Sequence, residues 1–382
     1  MKDNSIDAIV TDPPYALVGS TGKKGFMGME WDGRLPGKQW ADECLRVLKP
    51  GGHLIAFGAT RTYHRLVCTL EDAGFEVRDT INWLYFSGFP KSLDVSKAID
   101  KHFGAEREIV GPYIAPDGKQ RGGSPIAVMD IANYVKGERT EHNITKPTTK
   151  EAQQAEGIGT ALKPAFEPAT LCRKPLSEKT VALNWLRWKT GGLNIDKSRF
   201  QYGDSCWVGG EWTGDPKGNK EKGSGSSVFL GDSYAEKRSA KHDLGRWPAN
   251  IYQCPKASRA ERELGCERLP PVAGHEAVKR QPETAGLNNP RAGSGRTAGQ
   301  IRNHHPTVKP IKLMRWLVKL VCPENGIVLD MFAGSGSTLI AAELENLHSI
   351  GIEQSPDYCQ IIEARVNYAR GSLFRWADEY RS

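Results

Sequence analysis

The sequence predicts an α/β chain: a largely parallel sheet flanked by helices and interrupted by a long irregular insertion. Three observations carry that prediction. Strand-length apolar runs alternate with amphipathic helical stretches at both ends of the chain, the order that places crossover helices on a parallel sheet. Residues 201–304 are dominated by Gly, Ser, Asn, Pro and charge. A Gly-x-Gly turn, Gly334-Ser335-Gly336, lies between an apolar run and a helical one.

The elements follow in order. An apolar run at 6–10 reads as a buried strand stopped by Asp12-Pro13-Pro14-Tyr15. Each proline fixes φ and keeps the residue before it out of the helical region, so the segment is stiff and extended. The Gly-rich stretch 19–37 suits a mobile loop or a plain connector. Trp40, Cys44, Val47 and Leu48 fall at helical spacing before Pro50-Gly51-Gly52, and 53–58 reads as the next strand. Tyr63, Leu66, Val67 and Leu70 mark a second helix ended near Gly74, and 77–86 is strand-like. Residues 87–163 break the rhythm, with one helix expected at 93–102 inside a polar insertion read as partly disordered. A strand at 167–174 and a helix at 181–188 follow.

Regular structure resumes with His305-Pro306-Thr307-Val308-Lys309-Pro310, where Pro310 suits the first turn of a helix over 311–321. A strand at 326–332 leads into the Gly turn, then a helix burying Ile340, Leu344 and Leu347. A short strand at 348–352 ends in Glu353, and a last helix carries Tyr358, Ile361, Ile362 and Val366 on one face.

Composition narrows the function classes. The 382 residues are 38% hydrophobic with no long apolar run, which excludes a spanning helix. No apolar h-region follows Met1-Lys2-Asp3-Asn4, so no signal peptide is expected. The eight cysteines form no C-x-x-C, so a zinc site is not expected, and reduced thiols in a cytoplasmic location are. The net charge of +7 favours a polyanionic partner. Residues 201–304 carry 16 Lys/Arg against 12 Asp/Glu with scattered Trp207, Trp212, Trp247 and Tyr252, a mixture suited equally to phosphate contacts and to a solvated insertion.

Two sites carry the chemistry. The segment Asp12-Pro13-Pro14-Tyr15 offers carbonyl oxygens, a carboxylate and an aromatic face, the set that binds a flat base with an exocyclic amine. Strand, Gly-x-Gly turn, helix, strand and acidic Glu353 form a mononucleotide-binding arrangement, in which backbone approaches the ligand and the carboxylate meets a ribose diol. The third glycine of the dinucleotide fingerprint is absent and no G-x-x-x-x-G-K-[ST] occurs, which points to an adenosine without a pyrophosphate.

Those residues resemble the amino-group DNA methyltransferases. Asp330-Met331-Phe332-Ala333-Gly334-Ser335-Gly336 is similar to their S-adenosylmethionine motif I, and Asp12-Pro13-Pro14-Tyr15 to their catalytic motif IV. His305 to Pro310 resembles their motif X, and Leu48-Lys49-Pro50-Gly51-Gly52 the helix end before the next core strand. The order, catalytic motif first and cofactor motif last, is that of the beta class. The resemblance implies a circularly permuted Rossmann-like methyltransferase sheet. Its expected parts are a catalytic half at 1–86, the polar insertion at 87–163, a return to the core at 164–190, a target-recognition region at 191–304 and a cofactor half at 305–382.

It also implies roles. Glu353 would hold the ribose; Gly334, Ser335, Gly336 and Thr338 would form the cofactor turn. Phe332 would flank the cofactor, Asp330 would face the methionine amino group, and Thr307 and Lys309 would approach its carboxylate. Asp12 and the Pro13 carbonyl would bind the target amine, with Pro14 stiffening the turn and Tyr15 stacking on an extruded base. An Asp first residue in this motif favours adenine N6, with cytosine N4 as the alternative; double-stranded DNA is the implied partner and a homodimer stays open. Cytosine C5 chemistry would need a Pro-Cys pair, and only the reversed Cys254-Pro255 occurs. The alternative from another class is a non-catalytic DNA-binding module on a methyltransferase core, disfavoured by the intact motifs. Host restriction–modification and phage self-protection are both compatible biological settings.

Overall fold

Apolar side chains alternate along the first strand, β1 (Ile6–Thr11), which is buried throughout. Ala8 and Val10 face one core layer and Ile9 the other, the period-2 pattern of a strand covered on both faces. The computed structural model describes residues 1–17, 30–88, 90, 92–112, 143–201, 204, 245–272 and 301–371.

Helix α1 (Lys38–Val47) precedes β2 (Leu48–Phe57), and α2 (Tyr63–Asp72) precedes β3 (Glu76–Leu84). The insertion supplies α3 (Val95–His102), β4 (Glu108–Pro112), β5 (Asn143–Lys146) and α4 (Lys150–Gln154). Next come β6 (Phe166–Arg173), α5 (Val181–Trp188), β7 (Ile251–Gln253) and α6 (Arg259–Glu263). The chain closes with α7 (Ile311–Val321), β8 (Ile327–Asp330), α8 (Ser337–Leu344), β9 (His348–Gly351) and α9 (Pro356–Gly371).

Seven strands form one sheet in the order β7-β3-β6-β2-β1-β8-β9. One face packs Ile55, Phe57, Trp83 and Leu171 against Leu313 and Leu317 of α7 and Ala341 of α8. The other packs Ile9, Leu54, Ala56 and Leu329 against Cys44 and Val47 of α1 and Leu66 and Leu70 of α2. Each Leu, Ile, Val or Phe among them, when fully buried, contributes about 1.5–3 kcal/mol of transfer free energy. Among the described residues no helix is long and apolar enough to cross a membrane.

The structure departs from the sequence reading in the sheet order. Residues 53–86 read as strand, helix and neighbouring parallel strand, but β6 separates β2 from β3 and runs antiparallel to both. The apolar pattern of 166–173 marks a strand without naming its partners; those are fixed by distant register pairs such as Ile55↔Leu171 and Ile81↔Ala169. Every other adjacent pair in the sheet is parallel. Leu48, expected in a helix, is extended at φ −72 and ψ 138, because it pairs with Ile6. Pro310 caps α7 from outside at φ −62 and ψ 134, rather than sitting in its first turn.

Part of 191–304 belongs to the core. β7 pairs in parallel with β3, and the rings of Phe200 and Tyr252 lie 5.7 and 4.9 Å from Trp316 of α7. Trp207 and Trp212 fall outside the described residues. In the polar insertion, β4 and β5 pair antiparallel. Buried Asp100 there accepts from Arg107 at 2.7 Å and from the Thr149 hydroxyl at 2.7 Å. Residues 113–142 of that insertion lie outside the described residues.

Candidate active site

β1 and β8 are parallel neighbours, with Ala8↔Val328 and Ile9↔Leu329 in register. Their chain ends therefore leave the sheet at the same edge, the carboxyl edge where open α/β sheets bind ligands. The Thr11 hydroxyl donates to Asp330 Oδ1 at 2.7 Å and ties the two tips together. Residues over three hundred positions apart thus share one cleft.

On the β1 side, Lys309 Nζ donates to Asp12 Oδ2 and to the Tyr15 hydroxyl at 3.2 Å. Lys309 sits over the faces of Phe57 and Tyr15, 4.9 and 5.3 Å from their centroids. Asp12 Oδ1 is buried and has no hydrogen-bond partner. Burial raises the Asp12 pKa above the usual carboxylate value, against the pull of Lys309. Burial disfavours the Lys309 ammonium, but Asp12 and Glu167 outweigh it and raise its pKa. The resemblance implied Lys309 beside a methionine carboxylate; the structure places its ammonium on the protein's own Asp12. Thr307, half-buried, donates its N–H to His305 Nδ1 at 3.4 Å.

On the β8 side, Asp330 is 3% exposed. Besides Thr11, it accepts from Phe332 N at 3.1 Å and from the Thr338 hydroxyl at 2.6 Å. Burial lifts its pKa to about 6 even so. Three donors of the protein itself hold this carboxylate, so it shapes the turn between β8 and α8. Gly334 adopts φ +55, and a Cβ there would stand 2.7 Å from His305 Nε2; Gly336 caps α8 at φ +79. Both require glycine. Glu353 accepts from Gly334 N at 2.9 Å and from Ser355 N at 2.8 Å. Arg365 of α9, wholly buried, donates to the Ser335 carbonyl at 2.5 Å and hydroxyl at 3.1 Å.

Sequence reasoning missed four residues that build this cleft. Asp32, 2% exposed, accepts from the N–H groups of Tyr15 at 2.6 Å and Ala16 at 3.1 Å. Those bonds hold Ala16 at φ +52, a left-handed conformation unusual for alanine. Asp32 belongs to the far end of the Gly-rich stretch; the loop expected there falls at 18–29 outside the described residues. Thr62 donates to the Tyr15 carbonyl at 2.7 Å. His305 lies under Gly334, with Trp31 stacked on it at 6.3 Å; burial drives its pKa to about 3 and keeps it neutral. Glu167 accepts from the Tyr15 hydroxyl at 3.2 Å. Two of the four had a visible signal: His305 opens the stretch resembling motif X, though no role was read for it, and Glu167 stands at the start of a strand, where polar residues are common.

A family model described as "DNA methylase", covering adenine N6 and cytosine N4 enzymes, matches residues 6–364. The chain belongs to this family. Such methylases modify exocyclic amines of DNA bases with S-adenosylmethionine as cofactor. The type II methyltransferase M.HindIII of Haemophilus influenzae is 24% identical over 88% of this chain and 70% of its own length. M.HpaI of Haemophilus parainfluenzae is 29% identical over 38% of this chain, and the match spans about half of that relative, 52%. The solved structure of PvuII DNA methyltransferase, described as cytosine-N4-specific, is 14% identical, with a match over 98% of this chain and 87% of that one and a TM-score of 0.42.

The residues around the methylase glycine turn fit a polar, partly aromatic cofactor. The Ser337 hydroxyl and the indole N–H groups of Trp31 and Trp40 are buried without hydrogen-bond partners. Trp40 lies 5.9 Å from Phe332. Each unpaired buried donor costs about 1–3 kcal/mol, which a ligand in this cleft would recover.

Proposed function

We propose that the chain methylates the exocyclic N6 of adenine in double-stranded DNA, at a base turned out of the helix. The observation that carries the amine chemistry is Asp12 Oδ1, buried and unpaired at the carboxyl edge of the sheet while Oδ2 is held by Lys309; the choice of adenine follows from the Asp that opens the catalytic motif. An acceptor fixed in that way suits an amine N–H, and the Pro13 carbonyl beside it offers a second acceptor. An exocyclic amine is a poor nucleophile because its lone pair is delocalised into the ring. Two acceptors on its hydrogens favour a pyramidal nitrogen and aim the lone pair, so the contribution is positioning and electrostatics.

S-adenosylmethionine supplies the electrophilic methyl group. In this reading Glu353 holds the ribose, the turn at Gly334, Ser335, Gly336 and Thr338 accommodates the cofactor, and Phe332 with Trp40 lines its aromatic side. Thr307 borders the same turn through His305. Tyr15 stacks on the base, its backbone held by Asp32 and Thr62. Asp12 Oδ1 takes the proton released from the amine, a role its burial-raised pKa suits. Most target recognition is assigned to 191–304 apart from the segments that join the core, with some in 87–163, and the homologous type II enzymes support a restriction–modification setting.

The test is nucleoside analysis of unmethylated DNA treated with the protein and S-adenosylmethionine. N6-methyladenine is the expected product. N4-methylcytosine would overturn the choice of base while leaving the amine chemistry in place; no methylated base would overturn both.

A further inference from the structure

Glu167 belongs to no motif, yet the sheet delivers it to the catalytic edge. β6 runs antiparallel to its neighbours, so its first residues lie where the parallel strands end. Glu167 is its second residue, with a side chain 15% exposed. It accepts from Lys256 Nζ at 3.0 Å and from the Tyr15 hydroxyl at 3.2 Å, and lies 3.4 Å from Lys309 Nζ. Lys256 is itself seated over the Tyr85 ring at 4.1 Å. Two carboxylates therefore share one buried lysine, with a second lysine balancing the charge behind Glu167.

We infer that Glu167 is a positioning residue for methyl transfer: it shares the charge of Lys309 with Asp12 and anchors the Tyr15 hydroxyl, keeping Asp12 a strong acceptor for the target amine. The inference rests on the reading of Asp12 as the amine-binding group. Without Glu167, Asp12 is the one carboxylate of this pair left on the ammonium. The carboxylate is then a weaker acceptor, and the Tyr15 ring loses one of the contacts that set its plane. Charged or titratable groups facing Asp12 are Lys309 from the entry to α7, Glu167 from β6, Tyr15 from its own loop and Asp330 from β8. Glu167 raises the Asp12 pKa and Lys309 lowers it. Neutralising Glu167 should therefore move Asp12 titration to lower pH.

The experiment compares wild type, Glu167→Gln and Glu167→Asp in the full chain, measuring single-turnover methylation of DNA across pH 5–9 together with S-adenosylmethionine and DNA affinities. For Glu167→Gln the expected result is a rate at least about tenfold lower with both affinities within about threefold of wild type. The acidic limb of its pH profile should lie at lower pH, and Glu167→Asp should recover part of the rate. A Glu167→Gln rate within about twofold of wild type overturns the inference, as does a slower rate whose acidic limb has not moved. Active wild type with either result condemns only the role of Glu167. Inactive wild type condemns the methyl-transfer reading and the inference with it.

Discussion

Asp330 acts on the turn without meeting solvent, and its ionisation has a measurable cost. Its pKa in the fold is about 6, above the ordinary carboxylate value of 3.8, through burial. A raised carboxylate contributes stability below the unfolded value and loses that contribution as pH rises through the folded one. Between about pH 4 and pH 6 the loss is on the order of 3 kcal/mol. Asp330→Asn keeps an acceptor for Thr11 and Phe332 and adds a donor for Thr338, so denaturant unfolding should lose that slope; an unchanged slope contradicts the assignment. Lys309 gives the opposite lesson to Glu167. Lys309→Met leaves Asp12 buried without its cation, so the acidic limb of methylation should move to higher pH; a limb that stays in place removes Lys309 from the mechanism. The sequence named both Asp12 and Lys309 but could not pair them. A buried ammonium takes whichever carboxylates the fold brings near, and these lie 297 positions apart.

Secondary-structure elements were the most legible level. The sequence placed α5 and α7 at the bounds observed, α7 with the help of Pro310 just before its first turn. The strand expected at 326–332 ends at Asp330, since Met331 and Phe332 already turn toward the glycines. The place of β6 was not legible, and with it went Glu167: register between distant segments is decided by packing, which no local window contains. Two changes test how elements hold the cleft. Leu317 of α7 is fully buried against the sheet, so Leu317→Ala should cost about 2–5 kcal/mol in denaturant unfolding; a cost below about 1 kcal/mol would mean α7 does not close that face. Arg365 reaches from α9 to Ser335, so Arg365→Met should weaken S-adenosylmethionine binding by about tenfold, near 1.4 kcal/mol. Calorimetry showing unchanged affinity would separate α9 from the glycine turn.

At the scale of the whole molecule, the two ends of the chain build one site because β1 and β8 are adjacent and parallel. The motif order announced that meeting in the sequence; the bond between Thr11 and Asp330 realises it. The net charge of +7 predicts that DNA affinity falls steeply with salt. Neutralising six to ten phosphates would lower affinity by roughly 10³–10⁵ between 50 and 200 mM salt, and filter binding that is flat across that range would contradict a phosphate-driven interface. The proposed methyl transfer depends above all on Asp12 facing a methyl donor held by the turn at Gly334. The most direct measurement is single-turnover transfer of tritiated methyl groups from S-adenosylmethionine to unmethylated DNA, wild type against Asp12→Ala. Loss of at least about a hundredfold in rate, with cofactor affinity retained, is predicted; equal labelling by the two proteins would contradict it.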